Sequence, residues 1–200
     1  MSTFIFLWLQ NQTFYKLLQQ SVLRPIRSEK TDDKSWADVG CSTGLLSREA
    51  AKKGYSVVGY DINRFSLFFA KVLSWHLKNI SYSSENFETL QSRFDVVSAT
   101  SLLSVVDDKK ETLEKLVRLL KTEKSILIII EPTELLSTQN VKKLIVDFKT
   151  LWYYKGLLLW AKARENKSVD IQIFDTIKNI DVKHEFYLNE MVRVSYISYS

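Results

Sequence analysis

Two carboxylates, each at the end of a short apolar run, are the residues best placed for chemistry. Asp38 precedes a turn that contains Gly40 and Gly44, and Asp61 closes the next apolar run about 20 residues after Gly40. Glycines let a backbone approach a ligand closely, and a carboxylate at the distance of Asp61 can bind both ribose hydroxyls of a nucleoside. The spacing therefore predicts a nucleoside site.

The charge of the turn narrows the choice of nucleoside ligand. The G-x-G-x-x-G pattern of dinucleotide-binding proteins is not found at Gly40, and Asp38 would repel a pyrophosphate placed at the turn. S-adenosylmethionine carries an ammonium and a sulfonium and no phosphate. It therefore suits the site better than NAD does.

These residues resemble the class I S-adenosylmethionine-dependent methyltransferases. The first motif of that family is acid-x-Gly-x-Gly-x-Gly, and residues 38–44 match it with Ser42 in place of the middle glycine. If residue 42 has a positive φ, serine costs roughly 1 kcal/mol or more there, which weakens cofactor binding without excluding it. The resemblance covers about residues 35 to 135.

The resemblance implies a set of site residues. Asp61 falls on the ribose-binding acid, Glu85 and Asn86 fall on the segment beside the adenine, and Ala99 belongs to the fourth-strand motif. The implied cofactor-binding residues are Asp38, Gly40, Cys41, Ser42, Gly44, Asp61, Ile62, Glu85, Asn86 and Ala99. The implied substrate-pocket residues are Tyr15, Thr100, Ser101 and Trp152. No catalytic residue and no metal ligand can be named.

The elements around these residues alternate between strand and helix. Strand, glycine turn, helix and strand over residues 35–61 open a doubly wound, Rossmann-like α/β fold. Two alternating runs at 180–198, joined by a turn at Asn189 and Glu190, predict an antiparallel hairpin that completes a seven-stranded, mostly parallel sheet with helices on both faces. We expect a single domain over residues 1–200, with the cofactor-binding core at 35–135.

Two helical segments are left over to cover the site. Residues 1–27 and 141–165 are rich in apolar and aromatic side chains, and we expect both segments to roof one cavity at the methyl-transfer point. Gly156 is expected to kink or divide the second segment, and residues 169–177 are read as a shorter helix. For the N-terminal segment, weak contact with a membrane surface stays an alternative to packing over the site. It is too short for a transmembrane segment.

Composition limits the remaining classes. The chain has 200 residues, a net charge of +5, one cysteine and two histidines, so disulfides and a zinc cluster are not expected and a reducing, cytoplasmic compartment is favoured. The lack of a dense basic run argues against a nucleic-acid partner. The fourth strand also has no proline, unlike the Asn/Asp-Pro-Pro-aromatic motif of adenine-N6 methyltransferases.

The leading functional prediction is methyl transfer from S-adenosylmethionine to a small or lipophilic acceptor by in-line displacement. The donor is already activated by its charge, so alignment can supply most of the acceleration without a visible catalytic dyad. Two alternatives stay open: a non-catalytic binding or scaffold protein, to which Ser42 points, and an RNA or protein methyltransferase. The sequence does not indicate an oligomeric state.

Overall fold

The structure, a computed structural model, describes residues 3–26, 34–148 and 151–200, without the side chains of 145–148 and 151–154. Its centre is a seven-stranded sheet in the order β3-β2-β1-β4-β5-β7-β6. The first five strands are parallel, and β7 runs antiparallel to both β5 and β6. The strands are β1 Ser35–Val39, β2 Ser56–Tyr60, β3 Ile80–Ser83, β4 Val96–Thr100, β5 Ile126–Pro132, β6 Ile180–Tyr187 and β7 Val192–Tyr199. The predicted fold class is confirmed.

Helices cover both faces of this sheet. They are α1 Thr3–Gln10, α2 Thr13–Val22, α3 Leu45–Lys52, α4 Arg64–Leu73, α5 Lys109–Arg118, α6 Thr138–Phe148 and α7 Leu151–Arg164. Alternate residues of β5 face two separate hydrophobic clusters: Ile128 and Ile130 join the one that includes α2, α3 and α7, whereas Leu127 and Ile129 join the one that includes α5. This alternation is the signature of a central strand buried on both faces.

Local signals in the sequence set several helix ends. The side chain of Asn63 accepts hydrogen bonds from the backbone N–H groups of Phe65 and Ser66, both at 3.1 Å, and so caps α4. Asp108 caps α5 in the same way, as its spacing to Glu111 predicts. No helix of the described part of the chain is long and apolar enough to cross a membrane.

The N-terminal helices belong to the main hydrophobic core. Tyr15 is 1% exposed and its ring lies 5.5 Å from that of Trp160 on α7, edge to face. A Cβ atom on Gly156 would lie 2.8 Å from Cγ of Gln12 and 3.0 Å from Cε1 of Phe14. Gly156 therefore lets α7 approach the N-terminal helices, and the helix is not divided at this residue, because α7 continues through it.

Two further boundaries differ from the predicted ones. Residues 169–177 were expected to be an α-helix, but the chain there forms a short 3₁₀-helix at Ile171–Thr176 that begins at the Asp170 cap. The apolar run of the fifth strand ends at Ile130 and predicts a strand end before Pro132, but Pro132 is the last residue of β5 and pairs with Val192. A strand end tolerates proline, because the missing N–H is not needed to continue the ladder.

Candidate functional site

The glycine turn lies at the carboxyl end of β1. Three of its residues have left-handed backbones, Gly40 at φ 69°, Ser42 at φ 50° and Gly44 at φ 74°. The N–H groups of Gly40 and Cys41 both donate to the carbonyl of Tyr60, at 2.8 and 3.0 Å. The turn is therefore anchored to the last residue of β2, directly before Asp61.

The Asp61 carboxylate is held in place from two sides. Its Oδ2 accepts a hydrogen bond from the N–H of Ser42 at 2.8 Å, and its Oδ1 accepts one from the N–H of Asn63 at 2.8 Å. Each oxygen keeps a lone pair for a further donor. The carboxylate is thus oriented before a ligand arrives and can receive two adjacent hydroxyls.

A cavity of about 420 Å³ opens at this edge of the sheet. That volume is within the usual range of small-molecule and cofactor sites. Eight of the sequence-predicted residues line it: Gly40, Ser42, Asp61, Ile62, Glu85, Asn86, Thr100 and Ser101. The structure thus brings together the turn, the end of β2, the segment after β3 and the loop after β4.

Nine lining residues were not predicted. They are Phe6, Val39, Tyr60, Phe87, Glu88, Leu102, Val105, Val106 and Arg164. Three of them, Leu102, Val105 and Val106, belong to the apolar run that follows Ser101. That run is a signal, since apolar side chains in a loop at the carboxyl edge of the sheet are expected to pack against a site or another element. The pattern offered no signal for Arg164, which comes from the end of α7. Phe6 and Arg164 show that α1 and α7 both contribute walls to this cavity.

Asp38 is buried beneath the turn and does not line the large cavity. It is 2% exposed, and its oxygens accept hydrogen bonds from the hydroxyls of Ser47 at 2.5 Å and Ser98 at 2.8 Å. Ser98 in turn accepts a hydrogen bond from Nε1 of Trp36 at 2.8 Å. Burial raises the pKa of Asp38 to about 6, although the two serine hydroxyls act in the opposite direction. The carboxylate therefore acts on the turn through its field and its hydrogen bonds to the scaffold.

Three more predicted cofactor residues, Cys41, Gly44 and Ala99, lie outside the cavity wall. A Cβ atom on Gly44 would lie 2.4 Å from the Tyr82 hydroxyl, so this glycine makes room for Tyr82. Cys41 is buried, and burial raises the pKa of its thiol. Ala99 is fully buried within β4. Their side chains support the turn from behind, and their cofactor contacts stay a prediction.

The four predicted substrate-pocket residues do not all lie at the same cavity. Thr100 and Ser101 lie on the cavity wall, and their buried hydroxyls have no hydrogen-bond partner among the described residues. Tyr15 instead borders a smaller pocket of about 20 Å³ beside Asp38, and burial raises the pKa of its phenol. The side chain of Trp152 lies outside the described residues.

A second buried carboxylate shapes the loop that carries Ser101. Glu131, at the carboxyl end of β5, accepts hydrogen bonds from the N–H groups of Leu103 at 2.8 Å and Ser104 at 3.2 Å. Burial raises its pKa to about 7, against these hydrogen bonds and the nearby Arg164 guanidinium. Ser101 has φ 54°, and its N–H donates to the carbonyl of Ile130 at 2.7 Å. The loop is therefore fixed at both ends.

The sheet order, the glycine turn and the carboxylate at the end of β2 together define a class I methyltransferase fold, the class that uses S-adenosylmethionine. Residues 30–176 match the family model described as a methyltransferase domain, and the chain belongs to this family. Groups of three or more possible metal ligands are not found among the described residues.

Known proteins similar to this chain carry out several kinds of methyl transfer. A ubiquinone biosynthesis O-methyltransferase of Coxiella burnetii (strain Dugway 5J108-111) is 28% identical over 177 residues, which cover 80% of this chain and 74% of that protein. Proteins of the same name from other C. burnetii strains match over 88 residues at 34% identity, covering only 38% of their length.

Two solved structures share the fold. The magnesium protoporphyrin IX methyltransferase of Synechocystis PCC 6803, with bound S-adenosylhomocysteine, has a TM-score of 0.68 at 15% identity and covers 93% of this chain and 84% of its own. The N-methyltransferase NodS of Bradyrhizobium japonicum WM9, also with bound S-adenosylhomocysteine, has a TM-score of 0.68 at 11% identity. The match covers 96% of this chain and 90% of the NodS chain. At these identities the likeness concerns the fold.

Proposed function

We propose that this chain binds S-adenosylmethionine in the 420 Å³ cavity and transfers its methyl group to an oxygen of a small or lipophilic acceptor. The observation that carries the proposal is the Asp61 carboxylate, which two backbone N–H groups fix at 2.8 Å while each oxygen keeps a lone pair for a ribose hydroxyl. The fold alone would not require a carboxylate so oriented.

The rest of the cavity fits the other parts of this cofactor. Ile62 and Phe87 offer apolar surface for an adenine, and Glu85 offers an acceptor for its amino group. Gly40 gives the methionine end access to the turn, where Asp38 lies buried below. When bound, S-adenosylmethionine supplies a methyl group on a positively charged sulfur. The proposed cofactor-binding residues are therefore those of the sequence prediction that line the cavity.

The chain's own part in the reaction is to bind, align and exclude water. Thr100 and Ser101 belong to the wall beyond the glycine turn, although their hydroxyl oxygens are buried and have no partner among the described residues. Leu102, Val105 and Phe6 supply apolar walls that suit a lipophilic molecule and keep water away from the reacting atoms.

An oxygen acceptor is favoured by the relatives named as O-methyltransferases. Because an oxygen nucleophile loses a proton on methylation, a group on the chain or water must accept it. We also propose the compartment and the partner class that the composition predicts. These are a reducing, cytoplasmic compartment and a small-molecule substrate rather than a nucleic acid.

The binding test uses isothermal titration with S-adenosylmethionine and S-adenosylhomocysteine. Asp61→Asn should weaken binding by roughly 1.5–3 kcal/mol, the range for hydrogen bonds to a charged group. Asp181→Asn is the matched control, since Asp181 is an exposed residue of β6 at the far edge of the sheet. Unchanged affinity in Asp61→Asn would contradict the ribose site, and no binding to the wild type at millimolar ligand would favour a non-catalytic scaffold.

The acceptor test measures transfer of an isotopically labelled methyl group. A lipophilic phenol and a lipophilic aniline of similar shape would be offered in parallel, so that only the nucleophilic atom differs. Labelling of the phenol alone is expected. Labelling of the aniline alone would replace the oxygen acceptor with nitrogen, without affecting the cofactor site.

A further inference from the structure

The first turn of helix α1 contacts helix α4, and aromatic side chains of both helices meet at this contact. The hydroxyls of Thr3 and Ser66 are 3.1 Å apart in the buried seam between them. The ring of Phe4 lies 5.7 Å from that of Phe65 and 5.6 Å from that of Phe69. Phe69 also contacts Phe68, with ring centroids 5.5 Å apart. We call Phe4, Phe65, Phe68 and Phe69 the aromatic patch.

This patch faces solvent. Phe4, Phe65 and Phe68 are 62%, 50% and 59% exposed. The apolar surface extends one helical turn further on each helix, to Trp8 on α1 at 44% and Val72 on α4 at 51% exposed. Contiguous apolar patches of this kind are rare on monomeric soluble proteins and mark sites of interaction. The positions on α4 follow helical spacing, so one face of the helix is apolar on the outside.

The charged residues of the two helices that carry the patch are basic. Helix α1 has no charged residue, and the charged residues of α4 are Arg64 and Lys71. The acidic residues Asp61, Glu85 and Glu88 belong to the cavity wall rather than to these helices. Arg64 and Lys71 lie at one edge of the apolar face of α4, where long side chains can reach past the aromatic rings. An apolar face edged by arginine and lysine is complementary to a bilayer surface with anionic headgroups.

The patch is also continuous with the mouth of the cavity. Phe6 of α1 and Ile62, two residues before α4, both line the cavity, and Ile62 is 81% exposed. A surface that rests on the patch would therefore lie beside the opening. A lipophilic molecule dissolved in that surface could enter the cavity without crossing water.

From these observations we propose that the aromatic patch binds the surface of membranes that contain anionic lipids. Phe4, Phe65 and Phe68 enter the boundary between headgroups and acyl chains, while Arg64 and Lys71 contact the headgroups. This binding goes beyond the proposed methyl transfer and is measured without any cofactor or acceptor.

The experiment measures co-flotation of the full chain with vesicles of phosphatidylcholine alone and of equimolar phosphatidylcholine and phosphatidylglycerol. Binding to the anionic vesicles is expected, with weaker binding to the neutral ones and a loss at high salt. The double variant Phe65→Gln/Phe68→Gln should bind anionic vesicles about tenfold or more weakly. Its matched control is Phe186→Gln, because Phe186 is 49% exposed on β6 at the opposite edge of the sheet.

A second pair of variants tests the charges. Arg64→Gln/Lys71→Gln should weaken binding to anionic vesicles about tenfold or more and leave binding to neutral vesicles unchanged. Lys110→Gln/Lys124→Gln, which changes two exposed lysines elsewhere, should retain wild-type binding. Circular dichroism and thermal melting establish that each variant is folded, so that a loss of binding is not a loss of structure.

Three results would overturn the proposal. One is an absence of binding of the wild type to anionic vesicles. Another is equal binding by the wild type and the Phe65→Gln/Phe68→Gln variant. The third is concentration-dependent dimerisation without lipid that the same variant abolishes, which would make a second copy of the chain the occupant of the patch.

Discussion

Replacing Asp38 by Asn should change how the stability of the protein depends on pH. Asp38 is 2% exposed, and burial raises the pKa of its carboxyl from 3.8 to about 6 in the folded protein. The folded state therefore binds this proton more tightly than the unfolded chain does. The stability that the group contributes is fully present below pH 3.8 and is lost as the pH rises through 6.

The size of the effect follows from the two pKa values. Between pH 7.5 and pH 5.0 the unfolded carboxyl stays almost fully ionised, whereas the folded one takes up most of a proton. Proton linkage then adds roughly 1.4 kcal/mol to the free energy of unfolding over this interval. Asn does not titrate, so the Asp38→Asn variant should lack this increment.

The assay is urea unfolding of both proteins at pH 7.5 and pH 5.0. For each protein, the change in the free energy of unfolding between the two pH values is calculated, and the two changes are compared. The contributions of the other titrating groups, including Glu131, cancel because both proteins contain them. Asp108→Asn is the control: it makes the same chemical change at an exposed helix cap, where Asn caps comparably, and it leaves Asp38 in place. If Asp38→Asn keeps the full wild-type difference between the two pH values, Asp38 does not take up a proton in this interval and the reasoning is wrong.

Two further substitutions concern the glycine turn. Ser42→Gly should leave S-adenosylhomocysteine affinity unchanged or higher in isothermal titration, because φ 50° is unfavourable for serine by roughly 1 kcal/mol; clearly weaker binding would mean that the Ser42 hydroxyl contacts the ligand. Gly44→Ala should lower the free energy of unfolding in urea by about 1–3 kcal/mol, since its Cβ would lie 2.4 Å from the Tyr82 hydroxyl at φ 74°. A Gly44→Ala variant as stable as the wild type would show that Tyr82 moves aside freely.

The elements with strong local signals could be predicted from the sequence. The apolar runs and the glycines between residues 35 and 61 predict β1, α3 and β2 in their observed order. Asp61 lies on the cavity wall as its distance from Gly40 implied. These features depend on residues close together in the chain, so their spacing is enough to predict them.

Features that depend on packing between distant segments could not be predicted. Tyr15 borders the small pocket beside Asp38 because it packs against Trp160, and Gly156 makes space for Gln12 and Phe14. Arg164 lines the cavity although it lies more than 60 residues after the end of β4. Each of these outcomes is decided by which helix packs on which, and periodicity in one segment does not contain that information.

The position of β7 has a consequence for how the protein folds. β7 lies between β5 and β6, although it comes after both in the chain, and the Tyr196 hydroxyl on β7 donates to the carbonyl of Val22 on α2 at 3.1 Å. Until β7 docks, the apolar β5 is an unpaired edge open to strands of other molecules. Closing contacts between segments this far apart is slow. Aggregation during refolding should therefore compete chiefly with the docking of the C-terminal hairpin, and conditions that speed that step should raise the yield of native protein.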